Sequence, residues 1–138
     1  MSGCVFCEVV SGQIPATKVY EDEIALAFMD INPISRGHTL LIPKEHFVLV
    51  SEMDAKKYQA LVKTVPGLSK AILETTGAAG LNVLQNNGRA AGQAVEHLHI
   101  HLIPRYQGDG LGFIWKPKPA RAEELSGLAQ KIKSALSK

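Results

Sequence analysis

The run His97-Leu98-His99-Ile100-His101-Leu102-Ile103 alternates polar and apolar residues with a period of two. On an extended strand, successive side chains leave opposite faces. Leu98, Ile100 and Leu102 then share the buried face, and the three imidazoles share the other. A helix would scatter the same rings around its axis. Successive histidines on a strand lie about 6.5–7 Å apart, close enough for one phosphate to touch two rings. Three of the chain's five histidines fall in this run, a concentration that a lone core or surface histidine would not explain.

The rest of the chain frames that strand. Lys18-Val19-Tyr20 and Ile24 to Met29 flank an acidic turn and read as a β-hairpin. Asp30-Ile31-Asn32-Pro33 is a turn, and Thr39 to Ile42 is a further strand closed by Pro43. From Asp54 the period becomes helical, through Tyr58, Leu61, Val62, Val65, Leu68 and Ile72, with Gly77 as the stop. Pro66-Gly67 should kink or break this long central helix. Leu81 to Gln85 reads as a strand, Asn86 to Gln93 as a loop, and Leu98 to Pro104 as the last strand. A C-terminal helix over Ala120 to Leu136 carries Leu125, Leu128, Ala129, Ile132 and Leu136 on one face. Its acids come early and its lysines late, as the helix dipole favours. With no β-α-β rhythm, the expected fold is α+β, a single domain over residues 1–138 with an antiparallel sheet of about five strands.

Bulk properties narrow the partners. At 138 residues, 46% hydrophobic and 20% charged, the chain is long enough to bury a core without staples. A net charge of +2, with lysines spread thinly, makes no stripe for a nucleic acid polymer. No apolar run approaches a membrane span, and Met1-Ser2-Gly3-Cys4 does not resemble a secretory leader. The expected location is the cytoplasm, where Cys4 and Cys7, too close together for a structural staple, remain reduced.

Two chemistries suit the clustered imidazoles: a three-histidine metal centre, or nucleophilic attack by one ring with another handling the proton. The loop Asn86-Asn87-Gly88-Arg89-Ala90-Ala91-Gly92-Gln93 favours the second. Its backbone N–H groups and amide side chains are suitable donors to phosphate oxygens.

The histidine run resembles the defining motif of the histidine-triad superfamily. Ile14-Pro15, Phe28-Met29-Asp30-Ile31-Asn32-Pro33, Gly37-His38-Thr39-Leu40-Leu41-Ile42-Pro43 and Asn86-Asn87-Gly88 follow in family order. The branch it is most similar to is the histidine-triad nucleotide-binding proteins. That resemblance implies a small homodimeric enzyme that hydrolyses purine nucleoside phosphoramidates. It implies His99 as nucleophile on the α-phosphorus, forming a nucleotidyl-histidine that water hydrolyses. The His97 carbonyl would hold the other nitrogen of that ring. His101 would contact the phosphate and protonate the leaving group, and His38 would support the proton network. Ile14, Phe28, Asp30 and Ile31 would form the nucleoside pocket, with Asn86, Gly92 and Gln93 on the phosphate side. Ala94 stands where many relatives carry a serine at the phosphate. The dimer would use the central helix and one strand of each subunit, and residues Gly108 to Lys118, with Phe113 and Trp115, would lie near the partner's active site.

Cys4-Val5-Phe6-Cys7 has the spacing of a two-thiolate zinc grip. No helix is expected to follow it, which disfavours a redox role. His46 and His97 are the candidate third and fourth ligands, and a subset of the superfamily is similar in using two cysteines and two histidines. A Cys4-Cys7-His46-His97 site would be closed and structural. The alternatives to a phosphoramidase are a dinucleoside polyphosphate hydrolase, which Pro104-Arg105-Tyr106 suits equally, and a non-catalytic nucleotide-binding module. A nucleotidyltransferase fits less well, because its motif typically ends in glutamine where this chain has His101.

Overall fold

A computed structural model of the chain describes residues 3–112 and 115–138. Five strands form one sheet in the order β1-β2-β3-β5-β4, every neighbouring pair antiparallel. They are β1 (Lys18–Glu21), β2 (Ala25–Met29), β3 (Thr39–Pro43), β4 (Gly80–Gln85) and β5 (Ile100–Arg105). The α+β class with an antiparallel sheet is as expected.

The β1–β2 turn closes on Asp22, whose Oδ1 accepts from the Ile24 and Ala25 N–H groups at 2.7 Å each. The central helix is not one piece. It is α2 (Ala55–Val62) followed by α3 (Val65–Thr76). The break falls at Lys63-Thr64, just ahead of Pro66, which occupies the first turn of α3. A proline has no N–H to lose there and starts a helix rather than bending one.

One element escaped the sequence reading. A short helix, α1 (Val5–Ser11), begins directly at Cys4, whose Sγ accepts from the Cys7 N–H at 3.4 Å. The signal for it was Phe6, Val9 and Val10 at helical spacing before Gly12. It overturns the expectation that no helix follows the cysteine pair.

The sheet buries both faces. Ala25, Ala27, Leu41, Leu98, Ile100 and Leu102 pack with Leu61, Leu68 and Ile72 of α2 and α3. Leu26, Phe28, Leu40 and Ile42 pack with Phe6 and Val9 of α1. The imidazoles therefore share a face as expected, but α1 roofs it, and His97 and His99 are buried. The histidine run is also not all strand. β5 starts at Ile100, so only His101 lies in the ladder; His97, at a bend, and His99 belong to the irregular lead-in. The reason is a tertiary contact: Leu98 N–H donates to the Phe47 carbonyl at 2.6 Å instead of to a neighbouring strand.

The last helix, α4 (Ala122–Leu136), follows residues 115–121, which form neither helix nor strand. Leu125, Leu128, Ile132 and Leu136 on it are exposed. Among the described residues no helix is long and apolar enough to cross a membrane.

Gly37, one residue before His38, has φ +95°, and a Cβ there would meet Thr76 Cγ2 at 2.7 Å and Pro104 Cγ at 3.1 Å. Only glycine is comfortable in that backbone region. We expect Gly37→Ala to lose about 1–3 kcal/mol of stability, read as a lower urea midpoint with an unchanged slope.

Candidate active site

Backbone atoms set the proton on His99, His97 and His38, and His38 sets it on His101. His99 Nδ1 lies 2.7 Å from the His97 carbonyl. A carbonyl can only accept, so Nδ1 carries the hydrogen and Nε2 keeps a bare lone pair. His97 Nε2 likewise donates to the Pro43 carbonyl at 2.8 Å, which leaves its Nδ1 bare. His38 works in reverse. Its Nδ1 accepts from the Ile34 N–H at 3.1 Å, so the proton of the neutral ring sits on Nε2. That Nε2–H donates to His101 Nδ1 at 2.9 Å, and the remaining proton of His101 is then on Nε2.

Burial keeps these rings neutral. It pushes His38, His97 and His99 below the ordinary imidazole range. His101 is pushed down to about 4, first by burial and then by the His99 and His38 rings. The site thus holds a bare nitrogen on His99 next to an N–H on His101, ring centroids 4.8 Å apart. Such a pair can attack an electrophile and donate a hydrogen bond to whatever leaves.

A cavity of about 410 Å³ opens onto His99 and His101 and brings together Ile14, Phe28, Asp30, Ile31 and Ala94. Its apolar walls and single acid suit a base and its ribose. Asp30 Oδ1 accepts from the Asn32 N–H at 2.8 Å, and its Oδ2 lies 3.6 Å from His38 Nε2. Val5, Phe6 and Val9 of α1 complete the wall, and the Phe6 ring meets His99 edge-on at 5.1 Å. None of these three was picked out from the sequence, because the helix that presents them was not.

Asn86 and Gly92 lie on the other side of His101, with Asn86 Nδ2 3.4 Å from the Gly92 carbonyl. Gln93, expected on the phosphate side, closes the loop through its side-chain amide. It is buried, accepts from the Gly88 N–H at 2.7 Å and donates to the Val48 carbonyl at 2.8 Å. Its amide stitches the loop to the body. Leu111, Gly112 and Trp115 line a groove beside the same chain's His101; Phe113 lies outside the described residues.

Cys4, Cys7, His46 and His97 converge on a second centre, with ligand atoms within 4.8 Å of one another. Cys4 Sγ is 3.4 Å and Cys7 Sγ 3.6 Å from His97 Nδ1; His46 Nδ1 is 3.3 Å from Cys7 Sγ and 3.2 Å from His97 Nδ1. A tetrahedral ion with bonds of about 2.0 Å to nitrogen and 2.3 Å to sulfur spaces its ligands about 3.3–3.8 Å apart. The donor set fits zinc in chemistry and in spacing. Burial and the Cys4 thiol push the Cys7 thiol upward, a cost that a divalent cation bound to the thiolate would offset.

A single three-histidine metal centre is inconsistent with this arrangement. The bare nitrogen of His97 faces the cysteines, and His99 belongs to neither candidate metal cluster. Asp30, His38 and His101 do cluster, but the Ile34 N–H forces the His38 proton onto the nitrogen an ion would need.

The HIT domain family model matches residues 11–108. The chain belongs to the HIT family. It is 42% identical to the adenosine 5'-monophosphoramidase hnt1 of Schizosaccharomyces pombe, over 96% of this chain and 98% of that one. A HIT family member from Bacillus subtilis superposes with a TM-score of 0.91 at 43% identity, covering 96% of each chain. A zinc-bound histidine triad family protein from Mycobacterium smegmatis superposes at 0.75 with 39% identity, covering 96% of this chain and 97% of that one.

In this HIT domain the neutral rings of buried His38 and His99 and of half-buried His101 tie stability to pH. Their folded pKa values lie below the unfolded value of 6.5, so as pH falls the unfolded chain takes up protons that the folded one refuses. Stability contributed by neutral rings is complete above about pH 6.5 and is lost toward about 4. Urea midpoints should drop between pH 7 and 5, with a shallower drop in His101→Gln.

Proposed function

We propose that the chain is a nucleoside phosphoramidase that works through a covalent intermediate on His99. The observation that carries this reading is the 2.7 Å bond from His99 Nδ1–H to the His97 carbonyl, which leaves Nε2 bare at the mouth of an apolar cavity holding one acid. The adenosine 5'-monophosphoramidase of Schizosaccharomyces pombe, similar over nearly its full length, supports the same substrate class.

In the first step the Nε2 lone pair attacks the α-phosphorus. The bond from phosphorus to the amine breaks as the leaving nitrogen takes up a proton from water, held in place by a hydrogen bond from His101 Nε2–H. In the second step water attacks the same phosphorus and releases its proton to solvent. The His99 nitrogen is released, and the nucleoside monophosphate departs. His38 keeps the His101 proton on the productive nitrogen, Asp30 accepts from ribose hydroxyls, and Ile14, Phe28 and Ile31 hold the base. Asn86 and Gly92 flank the phosphate, and Ala94, without a hydroxyl, contributes only wall.

Cys4, Cys7, His46 and His97 would hold a structural zinc ion. The ion would supply a cross-link between α1 and the lead-in to β5, with the Pro43 carbonyl orienting His97 behind it. His97 thereby serves the reaction as a positioning residue, through its carbonyl. The homodimer, the adenine base and a cytoplasmic location are part of the same reading.

Mass spectrometry of a reaction with adenosine phosphoramidate, quenched at a single turnover, should show a nucleotidyl adduct on His99. His99→Ala should lower kcat/KM by about 10³-fold or more. Turnover without any adduct on a histidine would overturn the mechanism. Metal analysis of purified protein should give about one zinc per chain. Cys7→Ala should lose that zinc together with several degrees of melting temperature, whereas an unchanged zinc content would remove the assignment.

A further inference from the structure

Cys4 and Cys7 flank the first turn of α1, the helix whose expected absence spoke against redox chemistry at this pair. That turn holds the two sulfurs together. Cys4 Sγ accepts from the Cys7 N–H at 3.4 Å, and both sulfurs fall within the 4.8 Å span of the four-ligand centre. Sulfurs that near need a short movement to form a bond of about 2.05 Å. They are also within reach of small solutes. Both cysteines are half-buried, and Cys4 lines a groove of about 630 Å³, shared with His46, Arg89 and Glu96, that includes neither His99 nor His101. We propose that Cys4 and Cys7 form a peroxide-sensitive modification site: a hydroperoxide entering this groove converts the two metal-binding thiolates to a disulfide and releases the ion. The inference rests on the zinc reading of the centre and adds a covalent state that reading does not contain.

The groove orders the two steps. Cys4 lines it and Cys7 does not, so Cys4 is the sulfur that an incoming peroxide meets first. Cysteines that bind a metal do so deprotonated, and the thiolate is the form that reacts. With hydrogen peroxide, the Cys4 thiolate attacks one oxygen, the O–O bond breaks, and the products are a sulfenic acid on Cys4 and hydroxide. The Cys7 thiolate then attacks the Cys4 sulfur and expels the sulfenic oxygen as a second hydroxide. Two electrons pass from the sulfurs to the peroxide, and two protons from solvent turn both hydroxides into water. The disulfide leaves only His46 and His97 as ligands where a structural zinc site needs four. Losing that cross-link reaches the active site through α1. Apart from the metal centre, α1 is held by Phe6 and Val9 in the core. Phe6 meets both His97 and His99 edge-on, and the His97 carbonyl holds the His99 Nδ1–H. Oxidation thereby loosens the roof over His99 without altering any group that touches substrate. In a reducing compartment thiol–disulfide exchange regenerates both thiols, which makes the modification reversible.

Zinc-loaded protein treated with a small excess of hydrogen peroxide should release its zinc to a chromophoric chelator in step with the loss of two hydrogen atoms from the intact mass. Peptide mapping should link Cys4 to Cys7, and dithiothreitol with added zinc should reverse both changes. Cys7→Ser should instead leave a sulfenic acid on Cys4 that dimedone captures. In the oxidised parent, kcat/KM for adenosine phosphoramidate should fall by about tenfold and recover on reduction. Cys4→Ser, whatever its starting rate, should be unmoved by peroxide. Zinc that stays bound while the same peroxide fully oxidises glutathione would overturn the site. So would zinc release that accompanies a sulfinic acid with no linked peptide. An equal loss of activity in Cys4→Ser would place the sensitive atom elsewhere and overturn the connection to His99. Protein that binds no added zinc at all would end the zinc reading itself, an outcome distinct from zinc-loaded protein that resists peroxide.

Discussion

The hydrogen bond from His99 Nδ1–H to the His97 carbonyl makes the chemistry of one ring a property of the backbone path. A peptide carbonyl cannot donate, so the tautomer is settled without any side-chain partner that could ionise. The same logic runs through the cluster. The Pro43 carbonyl turns the bare nitrogen of His97 toward the cysteines, and the Ile34 N–H passes a proton assignment through His38 to His101. The rings are close neighbours with different jobs because His97, His99 and His38 are each held by a different backbone group and His101 by His38.

These assignments need neutral rings, and neutrality depends on burial. A sheet with one open face would leave the imidazoles hydrated and near their ordinary titration range. Here α1 covers the face that carries them, and Phe6 touches both His97 and His99 edge-on. The short N-terminal helix is therefore part of the electrostatics of the site as well as part of the second core. It also starts at Cys4, so the centre formed by Cys4, Cys7, His46 and His97 lies where that helix meets the lead-in to β5.

β5 and its lead-in serve three regions in turn. His97 turns toward the cysteines, His99 and His101 face the nucleoside cavity, and Arg105 latches the turn that walls the groove beyond. Displacing this segment would disturb all three together, which is why its anchors to Phe47, Pro43, β3 and β4 matter more than its own length.

Local sequence determined much of this. The period of two set the shared face of the histidines, the hairpin residues set β1 and β2, and the helical spacing with Gly77 as its stop set the region of α2 and α3. The C-x-x-C spacing and the resemblance pointed to the four metal-ligand candidates and to the pocket residues Ile14, Phe28, Asp30 and Ile31, which the fold does bring together. Tertiary structure decided the rest. The start of β5 at Ile100, the hydrogen bond from Gln93 to Val48 and the α1 roof each depend on partners distant in the chain. Which nitrogen of each histidine carries the proton depends on where a particular carbonyl or N–H stands. Side-chain periodicity records which face a residue takes; the position of a backbone donor from another segment leaves no mark in that pattern.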